Sequence, residues 1–277
     1  MQNFDEMINT IQLGDCLDVM KLIPSNSVDM VLTSPPYDEL RNYNKTLEWS
    51  FDVFKKVADE LKRILKDNGV IIWVVGDSTT NGSESGTSFK QALYFKEIGL
   101  NLYDTMIYRK LNFMPLTHKR YEQEFEYMFC FSKGVPKTFN PIMEDCKYAG
   151  TRANATVYKT NDDKLTEVGS YIVGDQKIKG NIFEYHTGSL NRETSEWEHP
   201  AMFPLELATD QIKSWTNEND IVLDCFSGSG TTCLASKRLN RRYIGIEKVK
   251  KYYDMSMIRI NEIRANGQTS IFTNFDD

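Results

Sequence analysis

The apolar run Val28-Asp29-Met30-Val31-Leu32-Thr33 stops abruptly at Ser34-Pro35-Pro36-Tyr37, and this junction limits the fold more than any other stretch of the chain. Two consecutive prolines cannot continue a strand, because each lacks an N–H and each restricts the residue before it. The backbone must leave the sheet as a stiff, extended loop with a hydroxyl before it and an aromatic ring after it. Such a loop is either a strand-terminating turn or a binding edge. As a binding edge it offers a planar amine an acceptor at Ser34, a backbone carbonyl at Pro35 and a stacking face at Tyr37.

A second signature lies far downstream, in Ile221-Val222-Leu223-Asp224-Cys225-Phe226-Ser227-Gly228-Ser229-Gly230-Thr231-Thr232. A short apolar run ends in an acid and an aromatic, passes two glycines and enters Leu234–Leu239, which has helical spacing. Strand, glycine turn and helix make either a tight turn or a nucleotide-cofactor site. In the second case glycine lets the backbone approach a ligand, and the helix N-terminus favours negative charge. The run Tyr243-Ile244-Gly245-Ile246-Glu247 ends in a carboxylate roughly twenty residues on, the spacing of a ribose-binding acid. No Gly-Lys-Ser/Thr follows the turn, which disfavours a P-loop.

Together the two signatures resemble the amino-group DNA methyltransferases that use S-adenosylmethionine. Ser34-Pro35-Pro36-Tyr37 is similar to the catalytic loop of that family, and Asp224 to Gly230 to its cofactor loop. The catalytic loop comes first, as in the β group, a circular rearrangement of the shared fold. Gly14-Asp15-Cys16, followed by Leu17 and Met20, resembles the amino-terminal element that meets the cofactor adenine. His199-Pro200-Ala201-Met202-Phe203-Pro204 is similar to the family's His-Pro-x-x-Phe-Pro element. The implied fold is α/β, a Rossmann-like class I methyltransferase sheet, mostly parallel with an antiparallel edge hairpin. The implied division is a catalytic half at 1–140, a target-recognition insertion at 141–197 and a cofactor-binding half at 198–277. For the middle segment a disordered insertion is the plainer alternative.

The resemblance also implies roles. Ser34 and the Pro35 carbonyl, in the loop stiffened by Pro36, would accept hydrogen bonds from an exocyclic amine, and Tyr37 would stack on the base. Asp224 would sit near the methionine amino group and Phe226 would line the pocket. Gly228 and Gly230 would let the backbone pass close to the cofactor, with Ser229 and Thr231 in the same loop. Glu247 would take the ribose hydroxyls, and His199 and Phe203 would stand at the pocket edge. Asp15 and the Cys16 backbone would address the adenine, although Asp at such a position also caps helices. In this family Ser-Pro-Pro-Tyr goes with cytosine N4, and Asp- or Asn-Pro-Pro-Tyr with adenine N6. The favoured expectation is therefore N4 methylation of a flipped cytosine in double-stranded DNA. Adenine N6 is the alternative, followed by a catalytically silent DNA-binding partner subunit and by an RNA substrate.

Composition narrows the setting. A chain of 277 residues fits one α/β domain with an insertion. No stretch approaches the ~20 apolar residues of a membrane span, and no signal-peptide pattern opens the chain. Five cysteines, odd in number and without Cys-x-x-Cys spacing, suggest a reducing cytoplasm rather than disulfides or structural zinc. The three histidines have no paired ligand spacing, so no metal is expected, and a zinc deaminase's Pro-Cys-x-x-Cys is missing. A net charge of −6 means that DNA, which binds through cation contacts to phosphates, needs a local footprint. Arg109, Lys110, His118, Lys119 and Arg120, interleaved with Tyr108, Phe113 and Tyr121, form one candidate. Lys237, Arg238, Arg241 and Arg242 form another, and each cluster is either a DNA contact or a solvated face. The resemblance leaves room for a homodimer and a cognate restriction endonuclease, in a bacterial, archaeal or phage setting.

Periodicity and breakers give the expected elements. Strands are expected at 10–13, 28–33 and 70–75, and helices at 16–22, 51–65, 88–98, 205–215 and 250–265. Lys66-Asp67-Asn68-Gly69 reads as the close of a helix, 38–48 as a mobile loop and 81–88 as a flexible loop. Leu100–Lys110 and Glu124–Phe131 read as an antiparallel pair at one sheet edge, and Tyr171–Val173 and Asn181–Tyr185 as strand fragments inside the insertion.

Overall fold

The computed structural model describes residues 3–36, 49–113, 120–153, 156–159, 165–168, 170–187 and 203–265. The expected loop at 38–48 lies outside them. In chain order the elements open with α1 (Phe4–Met7), β1 (Thr10–Leu13), α2 (Cys16–Met20), β2 (Val28–Thr33), α3 (Phe51–Ile64) and β3 (Leu65–Val75). Next come β4 (Thr79–Thr80), β5 (Ser83–Glu84), α4 (Thr87–Glu97), β6 (Asn101–Lys110) and β7 (Phe125–Ser132). The short strands β8 (Met143–Asp145), β9 (Arg152–Ala153), β10 (Thr156–Lys159), β11 (Leu165–Val168), β12 (Tyr171–Ile172) and β13 (Gln176–Ile178) follow. The chain then continues through β14 (Ile182–Tyr185), α5 (Leu205–Trp215), β15 (Ile221–Asp224), α6 (Thr231–Arg238), β16 (Arg242–Glu247) and α7 (Lys250–Ala265).

Residues 3–140 and 181–265 belong to one compact unit and 141–180 to a second. The main unit holds an eight-stranded sheet in the order β1-β16-β15-β2-β3-β7-β6-β14. Its first five strands pair in parallel, β7 runs against both neighbours, and β14 returns parallel to β6. Every residue of β2 and β15 is buried, as expected for parallel strands covered on both faces. From β15 the chain crosses through α6 to β16 on one side, and from β2 it crosses through α3 to β3 on the other. The boundary between β15 and β2 is therefore a topological switch point, where open α/β sheets leave a crevice at the carboxyl ends of the strands.

The core follows from patterning. Ser50 caps α3 by accepting from Val53 N–H, and the helix turns Phe54, Val57, Ala58, Leu61 and Ile64 inward at three- and four-residue steps. Phe54, Trp73 and Phe95 meet edge to face with centroids 5.3–5.7 Å apart, and the buried Trp73 indole donates to Gln91 at 2.8 Å.

Three expectations are corrected. Lys66–Gly69 does not close α3 but lies within β3, which pairs with β2 through a register shift between Val28 and Met30. A Cβ on Gly69 would stand 2.8 Å from the Asp29 carbonyl, so glycine there serves a close strand approach rather than a helix stop. The expected loop at 81–88 begins inside the β4–β5 hairpin, whose Asn81 and Gly82 hold φ of +52° and +81°. Asn-Gly with both φ positive is a two-residue hairpin turn. Finally, β6 and β7 pair as expected but are not the edge, because β14 covers β6 in parallel. Asn181–Tyr185 thus belongs to the main unit rather than to an insertion.

Residues 141–180 contain three nested antiparallel pairs, β8 with β13, β9 with β12 and β10 with β11. Among the described residues no helix is long and apolar enough to cross a membrane.

Candidate functional site

A pocket opens at the carboxyl ends of the parallel strands, and nearly every strand around the switch point contributes to it. Gly14, Asp15, Cys16 and Leu17 come from the β1–α2 turn, and Ser34, Pro35 and Pro36 from the end of β2. The loop after β15 supplies Asp224 to Ser229 and Thr231, and the end of β16 supplies Ile246 and Glu247. The fold thereby joins two loops that are far apart in sequence. Thr33, the last residue of β2, donates its hydroxyl to Asp224 Oδ1 at 2.6 Å, and Thr232 Oγ1 donates to the Leu32 carbonyl at 3.3 Å.

Asp224 is 2% exposed, and burial pushes its carboxyl up to about 6 despite hydrogen bonds from Thr33 and the Phe226 N–H. Among the described residues no cation contributes to that balance. Glu247, also buried, is raised by desolvation while Gly228 N–H donates to Oε2 at 2.8 Å and Val249 N–H to Oε1 at 2.7 Å. Each carboxylate oxygen has a second lone pair, so both can still accept from a ligand. Gly228 holds a φ of +50°, which frees its N–H to turn back on Glu247. Asp15 accepts the Leu17 N–H at 3.0 Å, so it does cap α2, and it also meets Lys248 at 3.0 Å on the pocket rim.

The walls are apolar where a flat ring would lie. Phe226 meets Trp49 edge to face at 5.3 Å, and Leu17, Ile246 and Val249 complete that surface. Burial pushes the Cys16 thiol up to about 12 and raises Cys225 as well, so neither lining thiol is a thiolate nucleophile near neutral pH.

The pocket gathers Asp15, Cys16, Ser34, Pro35, Pro36, Phe203, Asp224, Phe226, Gly228, Ser229, Thr231 and Glu247, all singled out in the sequence. Gly230 stands behind the pocket. Its φ of +80° turns the chain into α6, and a Cβ there would come within 3.0 Å of Ser256. Tyr37, His199, His118 and Lys119 lie outside the described residues. Arg109, Lys110 and Arg120 are not among the lining residues, and each is engaged elsewhere. Arg109 bridges Glu124 at 3.1 Å and Glu184 at 2.7 Å, and Lys110 meets Glu126 at 2.6 Å. Arg120 donates to Thr79 Oγ1 at 3.1 Å and to the Gly82 carbonyl at 2.5 Å, which ties down the β4–β5 hairpin. In the second basic cluster, Lys237, Arg241 and Arg242 donate to the backbone carbonyls of Ile260, Thr216 and Asn219, which gives them structural work.

Sequence reasoning missed Trp49, Val53, Ser227, Lys248, Val249 and Tyr252 as lining residues. The signal available for Ser227, Lys248 and Val249 was adjacency to the glycine loop and to Glu247. The Ser227 hydroxyl is buried, lines the pocket and has no partner among the described residues, an orphan that a polar ligand atom would complete. That hydroxyl, an uncompensated buried acid, a strand-end carboxylate and an apolar slot fit a cationic nucleoside cofactor.

Residues 28–258 match the model of the N6/N4 DNA methylases. The chain belongs to that family. Over 254 residues, 90% of each chain, this N6/N4 DNA methylase is 44% identical to the orphan methyltransferase M.BamHII of Bacillus amyloliquefaciens. It is 30% identical to the type II methyltransferase M.BglII of Bacillus subtilis, across 90% of this chain and 68% of that one. The fold superposes on the cytosine-N4-specific PvuII DNA methyltransferase with a TM-score of 0.67 at 21% identity, covering 96% of this chain and 87% of that one. It also superposes on M1.HpyAVI, solved as its complex with S-adenosylmethionine, with a TM-score of 0.59 at 25% identity, covering 91% and 99%.

Proposed function

We propose that this N6/N4 DNA methylase acts on the exocyclic N4 of cytosine in double-stranded DNA, with S-adenosylmethionine supplying an electrophilic methyl on its sulfonium. The observation that carries the reading is the meeting of Ser34–Pro36 and the Asp224–Thr231 loop in one pocket, joined by the 2.6 Å Thr33–Asp224 hydrogen bond. Glu247 would hold the ribose hydroxyls, the apolar slot of Phe226, Ile246 and Val249 the adenine, and Asp224 the positively charged amino-acid end.

Residue chemistry accounts for the remainder. An exocyclic amine is a poor nucleophile, because its lone pair is delocalised into the ring. The Ser34 hydroxyl oxygen and the Pro35 carbonyl can accept from its two N–H groups, draw the nitrogen towards a tetrahedral shape and fix its direction. The two prolines keep these acceptors from relaxing away. Because Cys16 and Cys225 are held as neutral thiols, direct transfer to nitrogen is favoured over attack on the base by sulfur. The base must leave the duplex to reach this edge, at a cost of a few kcal/mol. Cytosine is preferred to adenine because Ser34 offers a short, neutral acceptor where a carboxylate would reach further.

Digesting DNA methylated by the protein to nucleosides and weighing the modified one tests the assignment. N4-methylcytidine is expected. N6-methyladenosine would overturn the choice of base while leaving the amino-methyltransferase reading intact.

A further inference from the structure

We propose that Arg259 of α7 is a positioning residue for the cofactor, setting the glycine loop so that Thr231 presents a hydrogen-bond donor to a carboxylate. This rests on the methyltransferase reading and extends it to a helix that the sequence marks only as terminal. Arg259 Nη1 donates to Thr231 Oγ1 at 2.9 Å, to Ser229 Oγ at 3.2 Å and to the Ser229 carbonyl at 3.4 Å. One guanidinium therefore grips both residues that flank Gly230.

The polarity of those bonds matters more than their number. A guanidinium has no acceptor, so both hydroxyls must accept from it, and their own hydrogens must point elsewhere. Ser229 and Thr231 are 1% and 5% exposed, and both line the pocket. Gly230, between them, caps α6 without a side chain, so the first-turn N–H groups of α6 have no side-chain cap. The oriented Thr231 hydroxyl beside a helix N-terminus suits an anion, and the carboxylate of the cofactor's amino-acid end has that chemistry. Asp224, in the same pocket, suits the ammonium of the same group.

The rest of α7 supports the grip. Tyr252 lines the pocket, and Ser256 and Ile260, on the same helical face, stand 3.0 and 3.5 Å from where a Gly230 Cβ would be. The helix therefore fixes the loop from behind, and Arg259 sets its hydrogen-bond direction.

Calorimetry with two probes separates this from general support of the fold. S-adenosylhomocysteine carries the carboxylate, and 5′-methylthioadenosine shares the nucleoside thioether without it. In Arg259→Ala, binding of S-adenosylhomocysteine is expected to weaken about tenfold, the loss of a charge-assisted hydrogen bond, while 5′-methylthioadenosine changes less than twofold. In methyl transfer the KM for cofactor should rise by a similar factor, with kcat at saturating cofactor within twofold. Arg259→Lys keeps the charge but loses the planar fork, and should recover most of the affinity. Arg259→Met, which keeps the aliphatic stem without a donor, serves as the test with the same expected loss if the alanine variant folds poorly. Equal weakening of both probes, or unchanged S-adenosylhomocysteine binding, would overturn the proposal. Wild-type protein that binds neither probe would instead overturn the methyltransferase reading on which it stands.

Discussion

Asp29 and Asp224 lie on adjacent strands of the same sheet, both buried, and they end in opposite electrostatic states. Asp29, near the start of β2, accepts from Ile221 N–H at 3.0 Å, Lys66 at 2.7 Å and Lys137 at 3.0 Å. Burial alone would raise its carboxyl, but the N–H and the two ammoniums outweigh it and hold Asp29 below the usual range. Asp224, at the far end of β15, has the Thr33 hydroxyl and the Phe226 N–H but no cation among the described residues, and burial holds it near 6. A buried acid with its own cations serves the fold. One without them is left for a ligand to neutralise, and it sits at the switch point where ligands bind.

Replacing each acid by its amide or by alanine should separate these roles. Asp224→Asn is expected to weaken S-adenosylmethionine binding on the order of a hundredfold, since the cofactor's cationic end would lose its proposed partner. The ligand-free protein should melt no lower at pH 7.5, because a carboxylate disfavoured by burial has been removed. Asp29→Ala should do the reverse. Urea unfolding should show a loss of about 2 kcal/mol, the cost of an unsatisfied buried N–H and lost ion pairs whose lysines can turn to water. Cofactor affinity should stay within twofold. If both substitutions damage stability alike, the comparison fails.

Proton linkage gives a smaller effect of definite sign. The carboxyl of Asp224 is raised above its unfolded value of about 3.9. Its contribution to ligand-free stability is therefore present below pH ~4 and lost as pH rises through about 6. For Asp29 the stabilisation is present above its unfolded value and is lost as acid takes the pH below it. With Asp224 holding the cofactor's cationic end, as proposed, binding needs it ionised, so affinity should rise about tenfold between pH 5 and 7, with a midpoint near 6. Calorimetry across that range checks it, and a flat profile in the unaltered protein would count against Asp224 as the cofactor's partner. Smallest is Thr33→Val, which removes the 2.6 Å hydrogen bond and should move that midpoint upward by less than one unit. A downward move would contradict the role given to Thr33.

Much of this site could be read from the chain because its residues are punctuated locally. Val28–Thr33 is ended by two prolines, Ile221–Asp224 by a glycine turn, and Tyr243–Ile246 by a carboxylate, so strands and loops announce themselves together. What could not be read depends on distant partners. Asp29 resembles any acid in an apolar run until Lys66 and Lys137 fold onto it. The ion pair of Arg109 could not be read either, because Glu184 arrives from β14 on the neighbouring strand. The four residues of β14 alternate exposed and buried between polar flanks, too short a pattern to place in the main sheet. Trp49 and Tyr252 line the pocket from the start of two helices, and no local motif marks either one.

The central claim is that the loop after β2 directs an amine at the cofactor held by the loop after β15. Transfer of tritiated methyl from S-adenosylmethionine to mixed-sequence duplex DNA by Ser34→Ala, alongside calorimetry of cofactor binding, tests it most directly. The expected result is a cofactor Kd within twofold of the unaltered protein and methyl transfer reduced about a hundredfold, the loss of one positioned acceptor. Undiminished transfer by Ser34→Ala would contradict the claim.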